Sequence, residues 1–336
     1  MGQFLRREDL LPWLQGLAET RLLVAPRAVE GMVLFQPISH GAEIALDYTN
    51  SSLSPKEVVF PATDVLFTVG RKDGQTELVP ATIERETVLF GIRPCDARGL
   101  KITDLPYLSS PTDAFYAQRR QKLILVGMAC TQPSPTCFCT TFGLGPQDAS
   151  DMDILLLPTE DGYIVDAVTD KGKGLLQGAT LSETERGPQP VTHPEPLPIE
   201  HLVEAMRRTF QAMYWSRLAD RCIHCHICAY VCPTCYCFDI RDYDNKGRIE
   251  RIRTWESCQS AGFTRLAGGF DPRAEKGLRL RQRFAHKLLY FPQEFGPVAC
   301  VGCGRCVVHC PVNIDIREVM ADVQRLAQVP AIPEEA

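Results

Sequence analysis

The chain has 336 residues, 45% hydrophobic and 23% charged, and its 36 basic and 41 acidic side chains leave a net charge of −5. This balance argues against a non-specific nucleic-acid binder and an acidic disordered tail, and no apolar run approaches the roughly 18 residues of a membrane span. Acidic residues rather than an apolar segment follow Arg6-Arg7, and Arg6 stands where a myristoylation motif needs Ser or Thr, so a cytoplasmic protein is expected.

In chain order, a helix is expected first over Leu11–Glu19, where Leu10, Leu11, Leu14 and Leu17 share one face and Pro12 fits only in the first turn. Runs rich in Val, Ile and Leu predict strands at Leu22–Ala25, Met32–Phe35, Val65–Val69, Thr87–Ile92, Leu123–Met128 and Ile154–Leu157. Between Thr87–Ile92 and Leu123–Met128 lie helical segments Ala97–Asp104 and Asp113–Gln121, a β-α-β unit whose strands should be parallel. Residues 167–200 lose this pattern, and Gly, Pro, Thr and Glu between Lys171 and Pro198 read as a linker or surface excursion. Helices are expected again over Glu200–Leu218 and Lys276–Tyr290, and the tail Ala331–Ala336 should fray. The fold class is therefore an α/β N-terminal domain over residues 1–200 and a mainly helical, ferredoxin-like dicluster domain over 201–336.

Fifteen cysteines stand out, and an odd number at short spacings points to metal or redox chemistry rather than a disulfide framework. Cys222, Cys225, Cys228 and Cys232 precede Pro233 as C-x2-C-x2-C-x3-C-P, and Cys300, Cys303, Cys306 and Cys310 repeat the run before Pro311. The two-residue gaps let one loop wrap three thiolates round a cubane, and the fourth cysteine reaches the other cluster. Hence Cys222, Cys225, Cys228 and Cys310 are assigned to one [4Fe–4S] cluster, and Cys300, Cys303, Cys306 and Cys232 to a second. Zinc sites use paired ligands instead. Cys222-Ile223-His224-Cys225-His226 also spells a haem-attachment motif, but Gly304 replaces the histidine in the second run and both cysteines already belong to the longer pattern. His224 and His226 then read as loop residues that tune a cluster.

Cys95 and Cys130 each follow a strand of the β-α-β unit, and parallel strands would bring both to one carboxyl edge, with Cys137 and Cys139 on the loop just beyond. Asp96 could cap the following helix and leave Cys95 near its N-terminus, which favours a thiolate. Four thiols on one edge suit a third [4Fe–4S] cluster; inert buried thiols are the alternative. Cys235, Cys237 and Cys258 remain unassigned. Arg273, Lys276, Arg279, Arg281, Arg283 and Lys287 would form a solvated basic face that could also offset anionic clusters or dock an acidic partner. Gly143-Leu144-Gly145-Pro146 lacks the last glycine of a dinucleotide fingerprint and no Walker motif occurs, so no flavin or nicotinamide site is expected in this chain.

Several segments resemble one family in order along residues 87–316. They are Gly91-Ile92-Arg93-Pro94-Cys95-Asp96, Cys137-Phe138-Cys139, Cys232-Pro233-Thr234-Cys235-Tyr236-Cys237, Trp255-Glu256-Ser257-Cys258 and Cys300-Val301-Gly302-Cys303-Gly304-Arg305-Cys306. The chain resembles the beta subunit of cytoplasmic NAD(P)-linked [NiFe] hydrogenases (sulfhydrogenases), with the electron-transfer subunit of anaerobic sulfite reductase a more distant likeness. The resemblance implies that the N-terminal cysteines act as a group, which favours the third cluster. It also implies a flavoprotein partner that binds NAD(P) and a separate catalytic hydrogenase-type subunit. The leading reading is an electron relay between those partners. Its competitors are electron transfer within a sulfite reductase, a disulfide or sulfur-compound reductase acting at Cys95/Cys130 with help from Arg93, and an iron–sulfur sensor.

Overall fold

A computed structural model of the chain describes residues 2–72, 75–193, 195–245 and 248–328. The tail 331–336 lies outside the described residues. Its framework is an eight-stranded sheet whose central strands are β2 (Leu22–Val29), β6 (Thr87–Ile92), β7 (Leu123–Met128) and β8 (Ile154–Pro158), all parallel in that order. Antiparallel strands complete both edges. β3 (Met32–Pro37) joins β2, while β9 (Gly162–Ala167), β1 (Gly2–Arg6) and β10 (Leu181–Thr184) extend the sheet from β8.

Every residue of β6 and β7 is buried because helices cover both faces, the usual condition of a parallel sheet. Helix α1 (Arg7–Thr20) packs Leu10, Trp13, Leu14 and Leu17 against Val88, Phe90, Ile124 and Val126. On the other face, α2 (Pro94–Leu108) and α3 (Ala114–Gln121) set Leu100, Tyr107 and Tyr116 against Leu89, Ile92 and Leu125. A bulge at Gly91 turns Ile92 to the face of Leu89, and the chain enters α2 from there.

A second, four-stranded antiparallel sheet pairs β4 (Thr63–Lys72) and β5 (Gln75–Pro80) with β11 (Phe238–Asn245) and β12 (Arg248–Trp255). It takes two strands from each side of residue 200. Arg253 of β12 is fully buried there, bonded to Asp64 at 2.9 Å and Asp113 at 2.6 Å. Behind it, α5 (Leu202–Arg208), α6 (Tyr214–Arg221), α8 (Lys276–Ala285) and α11 (Ile316–Gln328) enclose Met206, Trp215, Phe284 and Met320; the remaining helical pieces, α4 (Asp170–Leu175), α7 (Ile227–Tyr230), α9 (Phe291–Phe295) and α10 (Arg305–Val308), are short.

The β-α-β unit forms as the pattern predicts, with β6 parallel to β7. Other expectations need correction. Helix α1 begins at Arg7, with Glu8 and Asp9 in its first turn, so Pro12 lies inside the helix. The segment read as linker carries α4 and the edge strand β10. The helix expected over Glu200–Leu218 is two helices, broken where Trp215 Nε1 donates to the Thr209 carbonyl at 2.9 Å. Between the cysteine runs the chain first forms the β11–β12 hairpin, so this half is not uniformly helical. The helix begun at Lys276 passes through a π turn at His286–Tyr290 before α9.

Candidate metal centres

Each cysteine run begins as a loop and closes on a short helix, α7 in the first run and α10 in the second. The loops turn sharply at equivalent places, with left-handed backbone at His224 (φ 52°) and His226 (φ 63°) and at Gly302 (φ 64°) and Gly304 (φ 75°). Only glycine takes that conformation without steric cost. The second run cannot carry side chains there for another reason as well. A Cβ on Gly302 would lie 2.4 Å from the Phe138 backbone, and one on Gly304 2.5 Å from Thr136 Oγ1. The first run carries histidine side chains at both positions, each partly exposed.

Cys222, Cys225, Cys228 and Cys310, together with Cys306, wall one cavity floored by Leu280, Phe284 and Ile316. Polar groups reach the sulfurs. Gln259 Nε2 donates to Cys228 Sγ at 3.4 Å, the His224 N–H to Cys222 Sγ at 3.4 Å, and the Ile314 N–H to Cys310 Sγ at 3.1 Å. Buried Arg283 also lines this wall; its Nη2 donates to the Cys228 carbonyl at 3.1 Å, and its Nε has no partner among the described residues, nor has His224 Nε2.

Cys232 lies within electrostatic reach of Cys300, Cys303 and Cys306. Two buried lysines converge beside it. Lys287 Nζ, on the π turn, donates to Cys232 Sγ at 3.2 Å, Thr234 Oγ1 at 2.8 Å and the Ala299 carbonyl at 3.0 Å. Lys56 Nζ donates to the carbonyls of Cys232 at 2.9 Å and Cys235 at 2.8 Å. The Cys235 thiol, donating to Cys232, and then Lys287 hold the Cys232 thiol well below its ordinary range, while burial pushes Cys306 up to about 12.

The second cavity lies at the carboxyl edge of β6 and β7. Cys95, Cys130, Cys137 and Cys139 all line it, together with Arg93, Asn50, His193 and Cys303 from the second run. Asn50 Oδ1, Arg93 Nε and His193 Nδ1 have no partner among the described residues. Asp96 does not cap α2. The helix starts at Pro94, and the Asp96 carboxylate instead receives Arg305 Nη1 and Nη2, each at 2.7 Å, a buried bidentate pair. Nor is Cys95 a helix-activated thiolate: burial, then the Asp96 charge, pushes its thiol well up. Burial likewise raises Cys130, Cys137 and Cys139, the last to about 11. A nucleophilic cysteine needs the opposite environment, electropositive and partly open.

Among the described residues, no three His, Cys, Asp or Glu side chains close on a point that one metal ion would fill. Five cysteines line each cavity instead, four of one assigned set and one of the second run's other ligands, and unpartnered guanidinium N–H groups border them. That donor set fits an anionic iron–sulfur cluster, since coordination deprotonates a thiol outright. The second run touches both cavities, through Cys303 at one and Cys306 at the other. Its loop is bonded to the α/β half by the Phe138 N–H to Gly302 O at 2.8 Å, Asn50 Nδ2 to Cys303 O at 3.0 Å, and Arg305 to Asp96 and Ser51.

Sequence reasoning missed Lys56, Asp96 as the partner of Arg305, and Gln259, which follow no spacing rule. The basic residues of α8 and its π turn were visible, yet Arg283 and Lys287 are buried against the cysteine loops rather than solvated. Cys235, Cys237 and Cys258, left unassigned by spacing, lie together next to Cys232.

Among the described residues, no helix is long and apolar enough to cross a membrane. Residues 221–314 match the family described as a 4Fe-4S dicluster domain. Sulfhydrogenase 2 subunit beta of Pyrococcus furiosus is 31% identical over 304 residues, which is 86% of this chain and 88% of that protein. No solved structure matches the chain. By its extent and level, that likeness places this chain in the family of sulfhydrogenase beta subunits, carrying a 4Fe-4S dicluster domain.

Proposed function

We propose that the chain is a cytoplasmic electron relay holding three [4Fe–4S] clusters. Cys222, Cys225, Cys228 and Cys310 hold the first, Cys300, Cys303, Cys306 and Cys232 the second, and Cys95, Cys130, Cys137 and Cys139 the third. Such clusters, when bound, carry one electron at a time at potentials set by charge, hydrogen bonds and burial. In this reading the second cluster is central, because the second run borders both cavities. That shared wall is the observation that carries the proposal. The remaining residues tune and fasten: Arg283, Lys287 and Lys56 set positive charge against the sulfurs, and Arg305 ties the second run to Asp96 beside Cys95. A helical, ferredoxin-like packing of α5, α6, α8 and α11 would hold the two dicluster sites in place.

The likeness to a sulfhydrogenase beta chain supports a flavoprotein partner that binds NAD(P) and a catalytic [NiFe] hydrogenase-type partner. Neither nucleic acid nor a membrane span belongs to the proposal. Iron analysis and EPR of anaerobically purified chain test it. Three four-iron clusters require about twelve iron atoms per chain, and C137S should remove about four of them without altering the signals of the other two. Iron at eight or fewer per chain would remove the third cluster, and colourless, iron-free protein would end the relay reading. Co-purification of flavin- and nickel-containing subunits from the native source tests the partners.

A further inference from the structure

Four arginines are buried among the described residues, and they divide into two pairs. Arg253 meets the carboxylates of Asp64 and Asp113, and Arg305 meets that of Asp96, at 2.6 to 2.9 Å. Arg93 and Arg283 donate to carbonyls and form no ion pair among the described residues, and these two line the cysteine cavities. Arg93 stands between β6 and α2 and is 5% exposed. Its Nη1 donates to the carbonyls of Met128 at 3.1 Å and Ala129 at 2.8 Å, and its Nη2 to the Tyr48 carbonyl. The guanidinium also lies over the Tyr48 ring, 4.3 Å from its centre. These contacts fix the plane of the group without neutralising its charge. The Nε–H is left without a partner among the described residues, in a cavity bordered by Cys95, Cys130, Cys137 and Cys139. Asp96, close by in the chain, gives both carboxylate oxygens to Arg305.

A buried cation needs a counter-charge, and a buried N–H needs an acceptor. We infer, on the strength of the three-cluster reading, that Arg93 is the fixed counter-ion of the third cluster and donates its Nε–H to a sulfur there. The bond is charge-assisted, since the donor is a cation and the acceptor belongs to an anionic group. Held by Met128, Ala129 and Tyr48, the guanidinium cannot turn away when the charge in the cavity changes. Reduction adds one negative charge, so a cation fixed beside the sulfurs favours the reduced state and raises the potential. Arg93 thereby gives the third site what Lys287 gives the second, a buried cation among the thiols. Lysine is no substitute at position 93, because only the planar fork reaches the carbonyls and the cavity at once. The competing arrangement is a water joining the Nε–H to the unpartnered Asn50 Oδ1, with Arg93 purely structural.

The test uses the full iron-loaded chain, anaerobic and reduced, grown with arginine labelled by nitrogen-15, and reads the EPR signal that C137S removes. In the unsubstituted chain that signal should carry a nitrogen-15 coupling in pulsed EPR. R93K should lose the coupling yet keep about twelve iron atoms per chain. R93M should lose it as well, and at a fixed ambient potential the reduced-to-oxidised ratio of that cluster should fall on the order of tenfold, about 59 mV for one electron, with the other two clusters unmoved. R93K, which keeps a positive charge, should recover most of that ratio. An arginine with only a structural role would move neither readout. Absence of the coupling in the unsubstituted chain, which requires no variant to fold, would overturn the inference while leaving three clusters in place. So would a coupling that survives R93K, or a ratio unchanged in R93M. Iron at about eight or fewer atoms in the unsubstituted chain would instead remove the third cluster itself, and the role of Arg93 with it.

Discussion

The two cysteine runs share a spacing and a backbone course but occupy opposite environments. In the first, Ile223 is 62% exposed, Ile227 is 36% exposed and Cys225 is open; in the second, the equivalent Val301 is 2% exposed and Arg305 3%. The left-handed positions follow the same division, partly exposed histidines in the first run and glycines pressed against Phe138 and Thr136 in the second. One motif therefore faces solvent, and the other forms an internal junction with the α/β half. What separates them is the wall each loop meets, since the ligand pattern is identical.

The junction should be the fragile copy. Arg305→Met leaves the Asp96 carboxylate buried and unpaired, and about 3–5 kcal/mol of stability should be lost in denaturant titration. The double variant R305M/D96L should recover much of it; if the single change costs under about 1 kcal/mol, the junction is not held by this pair. Gly302→Ala is expected to cost about 2–5 kcal/mol, combining the left-handed penalty with a backbone collision. A large fall in the thermal midpoint would show it, and an unchanged midpoint would mean the loop is not sealed against Phe138.

Lys287→Met acts on charge rather than packing. Removing a charged hydrogen-bond donor of about 1.5–3 kcal/mol from Cys232 should lower that cluster's one-electron potential by at most roughly 60–130 mV, because the cation favours the more negative reduced state and only that difference counts. An EPR-monitored titration should show this shift in one cluster only; equal shifts in all of them would contradict the assignment of Cys232. The smallest effect is expected in the first run, where His226→Gly relieves left-handed strain and should stabilise by up to about 1 kcal/mol. Destabilisation there would mean that the imidazole makes a contact worth more than the strain it costs.

Much of the site was legible before any coordinates. The eight cysteines of the runs stand out because their short fixed gaps are those that cluster ligation would demand, and Cys95 and Cys130 could be set on one edge because the parallel pairing of β6 and β7 follows from two apolar runs around helical segments. The β11–β12 hairpin was not legible: Arg251 and Arg253 interrupt its apolar alternation, and Arg253 is buried only because Asp64 and Asp113 wait for it across the fold. Neither was the break at Thr209–Met213, which no proline or glycine marks.

Local order thus fixed which thiols could act together, since a spacing of two residues limits where sulfurs can point whatever surrounds them. Only the tertiary structure decided which run is exposed and which cations are buried beside the sulfurs. Those depend on contacts between residues far apart in the chain, such as Arg305 with Asp96 and Lys56 with Cys232. A buried charge is stable only where its partner is already positioned, and no periodicity in the sequence records where that partner will be.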